Sequence, residues 1–286
     1  MLVSPSGTVV EPISQHILAI ITKKHPCQQD LGDEFDDTEG QMAEESSEYD
    51  WLLIDTAFDV MVCLSAALGT TFKELWKMYE KHILRYASSQ EAVERETAVG
   101  SMAECIGNMA VEITPHTSKL MTVILKRLSD EDLGVKSNAA YAAGLLCEKS
   151  NDEREVLRNY NTILAKLEPL LDPSAAAGQE EKQARLLDNA AGCVSRMILK
   201  HPNNVPIAEV LPRLLEILPL RGDYEENKPI FEMIVKLYQV GNETIRGLTP
   251  QVMGVLQKVL GEPEEQLDDE TRAKVQELAK YLQGQK

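Results

Sequence analysis

The chain has 286 residues, a formal net charge of −17 and a sequence pI of about 4.8, with 43% hydrophobic but only 5% aromatic residues. Such an excess of negative charge repels nucleic acid and anionic lipid, so neither is a predicted partner and a basic protein is favoured. Simple solubility is the other explanation of the charge.

No targeting or membrane-spanning segment is predicted. The opening residues MLVSPSGTVV are neither basic nor apolar enough for a targeting peptide. No window is expected to approach the roughly 18 apolar residues that a membrane-spanning helix needs. The cysteines are odd in number and form no CxxC pair, which indicates reduced, mostly buried thiols of a cytosolic or nuclear protein. They are Cys27, Cys63, Cys105, Cys147 and Cys193.

An acidic segment, PCQQDLGDEFDDTEGQMAEESSEYD, occupies residues 26–50. It holds ten acidic residues between Asp30 and Asp50 and no Lys or Arg. Because such a composition buries little apolar surface, the sequence predicts a flexible acidic loop inserted in the first helical hairpin. The loop is either a solvated insertion or a tethered acidic decoy that competes with basic cargo or escorts it.

One type of helix recurs along the chain. Its copies are predicted to begin at Asp55, Glu96, Ser137, Asp188 and Glu226, at intervals of 41, 41, 51 and 38 residues. The second position of each copy is polar, and an alanine follows it in the first four copies. These second positions are Thr56, Thr97, Asn138, Asn189 and Asn227.

Between these copies lie amphipathic segments whose apolar residues recur at steps of three and four. They cover residues 13–25, 72–88, 116–130, 160–172, 207–219 and 249–261. A helical hairpin repeated at about 40 residues is typical of HEAT and armadillo proteins. The predicted fold is therefore an all-α HEAT-repeat α-solenoid, a superhelix of about six hairpins that forms a single domain over residues 1–286.

Catalytic and metal-binding motifs are absent from the sequence. It contains no GxGxxG, no Walker loop, no GxSxG and no HExxH, and its histidines are scattered without ligand spacing. We therefore expect no enzyme, no catalytic residue, no cofactor and no metal site.

The segment SDEDLGVKSNAAYAAGLLCE at residues 129–148 resembles the HEAT repeats of importin-β-type karyopherins. The order of units and the acidic insertion resemble the C-terminal part of such a receptor, although the 51-residue interval and the loose fifth copy depart from a regular repeat. The resemblance implies a C-terminal fragment of a nuclear import receptor that shuttles between cytoplasm and nucleus. Implied cargoes are core histone tails, other nuclear localisation signals and ribosomal proteins, and Ran GTPase and nucleoporins are implied partners of the full-length receptor.

In superhelices of this kind the second helix of each hairpin lines the concave side, so its equivalent positions form rows. Carboxylates beside amides suit a basic peptide, because carboxylates accept from Lys and Arg while amides bond to the peptide backbone. The predicted cargo-peptide-binding residues are Glu96, Ser137, Asn138, Tyr141, Asp188, Asn189, Glu225, Glu226 and Asn227. Helix-dipole and capping roles explain any single member, but they do not require the same register in successive repeats.

Two other functions remain open on the sequence. A non-transport HEAT scaffold would bind folded partners through helix ends and ridge loops. A histone-chaperone-like acidic module would neutralise basic partners without transporting them.

Overall fold

A computed structural model of the chain describes residues 7–28, 39–171, 179–261 and 266–284, without the side chains of residues 7–8 and 39–49. Every regular element within these ranges is a helix. The chain divides into two compact units, residues 1–112 and 113–286, described separately below. The single solenoid domain inferred from the repeats stays a prediction.

Unit 1 contains two helical hairpins within its described residues. The first pairs α1 (Gly7–Ile21) with α2 (Glu39–Leu68), and the second pairs α3 (Lys73–Tyr86) with α4 (Ala92–Met109). The hairpins stack because α2 packs on α4 and α1 packs on α3. Their apolar faces meet in a core that contains Ile54, Phe58, Met61, Trp76, Tyr79, Met102 and Ile106.

Unit 2 contains four hairpins in the part of the chain that the structure covers. Its helices are α5 (Thr117–Arg127), α6 (Leu133–Lys149), α7 (Glu153–Leu167), α8 (Glu180–Lys200), α9 (Ile207–Ile217), α10 (Asn227–Gln239), α11 (Glu243–Gly247), α12 (Thr249–Gly261) and α13 (Asp269–Gln283). The second helices pack in the order α6, α8, α10, α13. The first helices of the hairpins form the other layer of unit 2, in which α5 contacts α7 and α9 contacts α12.

Small residues bring α6 and α8 close together. A Cβ atom at Gly144 would lie 2.8 Å from the Cα atom of Cys193, so the two backbones touch at this point. The alanines that recur along both helices are fully buried there. They are Ala139, Ala140, Ala142, Ala143, Ala190 and Ala191.

The recurring helices begin earlier than the sequence predicts. Helix α6 begins at Leu133, and the N-cap is Asp132, whose Oδ1 accepts from the backbone N–H of Val135 at 3.0 Å. Asn138 and Asn189 therefore lie inside their helices, and the capping explanation for these two residues is wrong. Only α10 does not begin early: it begins at Asn227, one residue after the predicted start at Glu226.

The predicted acidic loop is partly wrong. Residues 39–50 belong to α2, which runs without a break from Glu39 to Leu68, and Pro26–Gln28 form one turn of 3₁₀ helix. Glu, Ala, Met and Gln within residues 39–45 are good helix formers, and their propensity outweighs the high acidic content. The remaining part of the predicted loop, residues 29–38, lies outside the described residues.

One stretch departs from the expectation that no segment is long and apolar enough to span a membrane. Residues 50–86 contain an 18-residue window of mean hydropathy 1.8, so length and composition alone would permit a membrane-spanning helix. Within unit 1 the stretch is broken by the 3₁₀ segment Gly69–Phe72, and α2 buries Ile54, Phe58 and Met61. Its hydropathy thus reflects in part a core helix, and the absence of a membrane partner stays a prediction.

Candidate functional site

The first two predicted positions of the recurring helices pair across neighbouring helices in unit 1. Thr97 Oγ1, on α4, donates a hydrogen bond of 2.8 Å to Asp55 Oδ1, on α2. Glu96, beside Thr97, is half-buried. The second position of one repeat is thus bound to the first position of the repeat before it.

The same contact occurs between α6 and α8 in unit 2. Asn189 Nδ2 donates to Ser137 Oγ at 3.0 Å, and each residue is only 1% exposed. The helices approach closely here because buried alanines follow both residues in the chain. In both cases the polar residue that recurs at the second position of a repeat forms a hydrogen bond with the first position of the repeat before it.

Asp188 binds the loop that leads into α10. Its Oδ2 accepts from the backbone N–H groups of Arg221, Gly222 and Asp223 at 3.0, 2.6 and 2.8 Å. Burial raises the pKa of the Asp188 carboxyl above its usual range, although these three hydrogen bonds act in the opposite direction. Asp188 therefore fixes the loop and is not available to a peptide.

A buried ion pair joins α8 to the start of α10. Arg196 makes a bidentate pair with Glu226, with Nη2 donating to Oε1 at 2.8 Å and Nη1 to Oε2. The Arg196 guanidinium also lies 3.2 Å from a Glu148 oxygen and 5.4 Å from the centre of the Tyr141 ring. Gly192 makes room for the pair, since a Cβ atom there would overlap Glu226 Oε2.

The pKa values of both members of this pair lie above their ordinary values. Burial raises the pKa of Glu226, against the opposing effect of Arg196. Burial opposes the charge of Arg196, but the hydrogen bond and ion pair with Glu226 raise its pKa overall. The guanidinium accordingly stays charged and bonded inside unit 2.

Asn227 ties α10 to the segment that precedes α13. Its Nδ2 donates to the backbone carbonyl oxygen of Gln266 at 2.9 Å, and Asn227 is 1% exposed. It joins successive repeats, as Asn189 does, but its partner follows it in the chain instead of preceding it.

The expectation that all the predicted residues line an open groove is therefore wrong for more than half of them. Five are buried in contacts within unit 2, because stacking of the hairpins closes the helix faces on which they lie: Ser137, Asp188, Asn189, Glu226 and Asn227. Glu96, Asn138 and Tyr141 are half-buried and Glu225 is exposed. For these four a role in cargo binding stays a prediction.

The structure adds an acidic cleft that the predicted row does not include. It lies where α6 and α8 begin, has a volume of about 500 Å³ and presents four carboxylates with a single lysine. Its lining residues are Glu131, Asp132, Leu133, Gln179, Glu180, Glu181 and Lys182. The Lys182 ammonium lies 3.8 Å from an Asp132 oxygen. Runs of acidic residues at 130–132 and 180–181 were the available sequence signal.

A larger cleft of about 680 Å³ shares Glu180 with this acidic cleft but has mixed charge. Arg213 and Arg221 line it together with carboxylates, and Arg213 pairs with Glu168 at 2.9 Å. Its own arginines make it less suited to a cationic ligand than the acidic cleft.

The described residues provide no group of three His, Cys, Asp or Glu side chains that could hold a metal ion. Cys27 and Cys63 are exposed, whereas Cys105, Cys147 and Cys193 are buried. Burial raises the pKa of the Cys105 and Cys193 thiols to about 12, and that of Cys147 well above its usual range. These buried thiols behave as core residues.

Comparison with known proteins supports the karyopherin resemblance along nearly the whole chain. The probable importin subunit beta-4 of Schizosaccharomyces pombe is 35% identical over 275 residues, which cover 94% of this chain and 25% of that protein. Importin-4 of Homo sapiens is 25% identical over 287 residues, covering 100% of this chain and 25% of that protein. By sequence, this chain is importin-4-like.

A family model described as "IPO5-like, TPR repeats" also matches the importin-4-like chain, at residues 66–206. The chain spans about a quarter of the length of the importin relatives it matches. The prediction that it is not an enzyme agrees with this likeness, since importins are transport receptors.

Solved structures support the fold of the importin-4-like chain. A designed armadillo repeat protein matches with a TM-score of 0.51 and 15% identity, over 93% of this chain and 99% of that one. A chain from a structure of Kap95p with RanGDP matches with a TM-score of 0.55 and 16% identity, over 99% of this chain and 31% of that one. The all-α HEAT-type solenoid predicted from the repeats is thus confirmed.

Proposed function

We propose that this chain is a segment of a nuclear import receptor and that it binds basic cargo. The observation that carries the proposal is the importin-4 likeness, which extends over 94% of the chain in one relative and all of it in another. The formal net charge of −17 supports a basic partner, because opposite charge accelerates encounter and selects the ligand.

The acidic cleft at the start of α6 and α8 is the contact that we assign to a Lys or Arg side chain of the cargo. Glu131, Glu180 and Glu181 bring carboxylates together around a space large enough for such a side chain. Tyr141 and Glu225 extend the predicted contact surface on α6 and just before α10. The buried residues Asp188, Asn189 and Glu226 hold the repeats that carry this surface.

Core histone tails are the cargo that we infer, since they are extended and rich in lysine. In the full-length receptor, Ran GTPase and nucleoporins would be further partners, and the receptor would shuttle between cytoplasm and nucleus. Kap95p, whose fold this chain shares, binds RanGDP, which supports this part of the proposal.

The test is a titration of the chain with a fluorescent, lysine-rich histone-tail peptide at low and at physiological ionic strength. We expect the triple variant Glu131→Gln, Glu180→Gln, Glu181→Gln to bind about tenfold more weakly, since each lost charge pair contributes up to about 1 kcal/mol. The matched control has the same charge change at exposed positions on other helices. It combines Glu153→Gln, Glu209→Gln and Glu243→Gln.

Equal weakening in the two variants would show that net charge, and not the acidic cleft, determines binding. No binding by the unmodified chain would contradict the basic-cargo proposal itself. Release of bound peptide by GTP-loaded Ran from a longer receptor that contains this chain would separate transport from a scaffold or chaperone role.

A further inference from the structure

Unit 1 carries a concentration of positive charge that the proposed function does not use. Six Lys and Arg residues precede residue 86, and five of them follow α1 directly or lie on α3 beyond its first residue. They are Lys23, Lys24, Lys77, Lys81 and Arg85. In a chain of net charge −17, this local excess calls for an explanation.

The packing of α1 against α3 brings these residues together. Tyr79 Oη donates to the Ser14 carbonyl oxygen at 3.1 Å, and Tyr86 Oη donates to that of Ile21 at 2.9 Å. Both contacts join residues 65 apart, so the two helices run side by side in the same direction. The end of α1 therefore lies beside the end of α3.

Three cations converge there and form what we call the basic patch: Lys24, Lys81 and Arg85. Arg85 Nη2 donates to the Ile21 carbonyl oxygen at 3.2 Å, and Lys24 follows three residues later in the chain. Among these cations lies His82; burial lowers its pKa, and Lys81, Arg85 and Lys24 lower it further.

The basic patch is not neutralised by the residues that the structure describes. Within these residues no carboxylate oxygen lies within 4.0 Å of a side-chain nitrogen of Lys24, Lys81 or Arg85. Lys77, one turn before Lys81 on α3, differs because it pairs with Glu74 at 2.7 Å. Lys81 is exposed, as are Lys24 and Arg85, so the patch faces solvent.

We propose that the basic patch binds an acidic segment of a partner protein. Lys81 and Arg85 are four residues apart on α3, and this spacing places them about 6 Å apart along the helix. Alternate side chains of an extended peptide are spaced about 6.6 Å apart, so carboxylates at every second position match this row. Lys24 adds a third charge beside it.

An acidic peptide fits the patch better than a nucleic acid. The patch presents only three cations, whereas a nucleic acid would bring a long polyanionic backbone against a chain whose net charge is −17. The partner in this proposal has the opposite charge to the basic cargo of the proposed function, and its site is in unit 1. A negative result for one of the two proposals therefore does not contradict the other.

The experiment measures fluorescence anisotropy of a fluorescein-labelled Glu-Ser repeat peptide titrated with the full chain at low and physiological ionic strength. We expect Lys24→Glu with Lys81→Glu to weaken binding by at least about tenfold, since two attractive contacts become repulsive. The matched control, Lys258→Glu with Lys280→Glu, changes the net charge equally at exposed positions of unit 2. Its effect should remain within about twofold. Circular dichroism confirms that both variants are folded.

Four outcomes would overturn the proposal. The unmodified chain fails to bind the peptide, or the control variant loses as much affinity as the patch variant. A single-stranded DNA of equal charge binds the patch more tightly than the peptide, which would make the ligand a nucleic acid. Binding appears only after Asp30, Asp33, Glu34, Asp36 and Asp37 are replaced by their amides, which would make the chain's own acidic segment the occupant.

Discussion

Asn189 and Asp188 show, at the scale of single residues, how a polar side chain inside a helical repeat acquires its role. Asn189 donates to Ser137 on the preceding helix, and Asp188 accepts three backbone hydrogen bonds from the following loop. Both side chains are buried, so neither is available to an external peptide. Their effect is on the stability of unit 2, which makes them testable without a ligand.

Replacing Asn189 with alanine should destabilise the chain by about 1–3 kcal/mol, because the substitution leaves the buried Ser137 hydroxyl without its donor. The measurement is the free energy of unfolding in urea. The control is Asn203→Ala, since Asn203 is exposed in a 3₁₀ turn and should change this free energy little. A variant at Asn189 as stable as the control would contradict the structural role.

Asp188 should make stability depend on pH. Its folded pKa lies above the ordinary value of 3.8, so between these two values the unfolded chain releases a proton that the folded chain retains. Stability relative to Asp188→Asn should therefore fall as pH rises from about 3.8 through the folded pKa, and then level off. Urea unfolding of both proteins across pH 4–7 measures this difference; a difference that grows with pH would contradict it.

At the scale of elements, the close contact between α6 and α8 depends on small residues, glycine and alanine. Gly144 lies against the backbone of Cys193, and buried alanines surround it. Interiors are close-packed, so an added methyl group here has to separate two helices and disturb the hydrogen bond from Asn189 to Ser137. The close approach and the buried polar contact thus depend on each other.

Gly144→Ala should lower the free energy of unfolding by about 1–3 kcal/mol, since its Cβ would sit 2.8 Å from a backbone atom. The matched control is Gly254→Ala on α12, where a Cβ meets no atom within 4 Å. Because alanine is the better helix former, the control should be neutral or stabilising by up to about 1 kcal/mol. Thermal or urea unfolding compares the two, and equal effects would show that close packing at Gly144 is unimportant.

At the scale of the whole molecule, the reactivity of the buried cysteine thiols measures how tightly the core of each unit is packed. Cys27 and Cys63 are exposed, whereas Cys105 lies in the core of unit 1 and Cys147 and Cys193 in that of unit 2. Thiol alkylation requires the thiolate, which burial strongly disfavours for the last three. Their reaction therefore depends on opening of the surrounding helices.

With iodoacetamide, the folded chain should be modified rapidly at Cys27 and Cys63 only. In increasing urea, Cys147 and Cys193 should become reactive together, because both lie in the contact between α6 and α8. Mass spectrometry of the modified peptides gives the result. Rapid modification of Cys105, Cys147 or Cys193 without denaturant would contradict the packing described for the unit concerned.

The sequence by itself determined the helical class, the hairpin period and the importin-type resemblance. These follow from apolar residues at steps of three and four and from the recurring Ala-rich helices, which are local properties of the chain. It also located the polar positions of the repeat, at Thr97, Asn189 and Asn227, although it assigned them to a groove.

Only the tertiary structure decided what those positions contact. Whether Asn189 faces a ligand or Ser137 depends on how far α6 and α8 are separated, and that separation depends on side chains 52 residues apart in the sequence. The helix starts depended likewise on packing and caps, such as Asp132, that periodicity does not specify. The acidic cleft and the basic patch arise where distant segments meet, so neither is apparent from a single stretch of sequence.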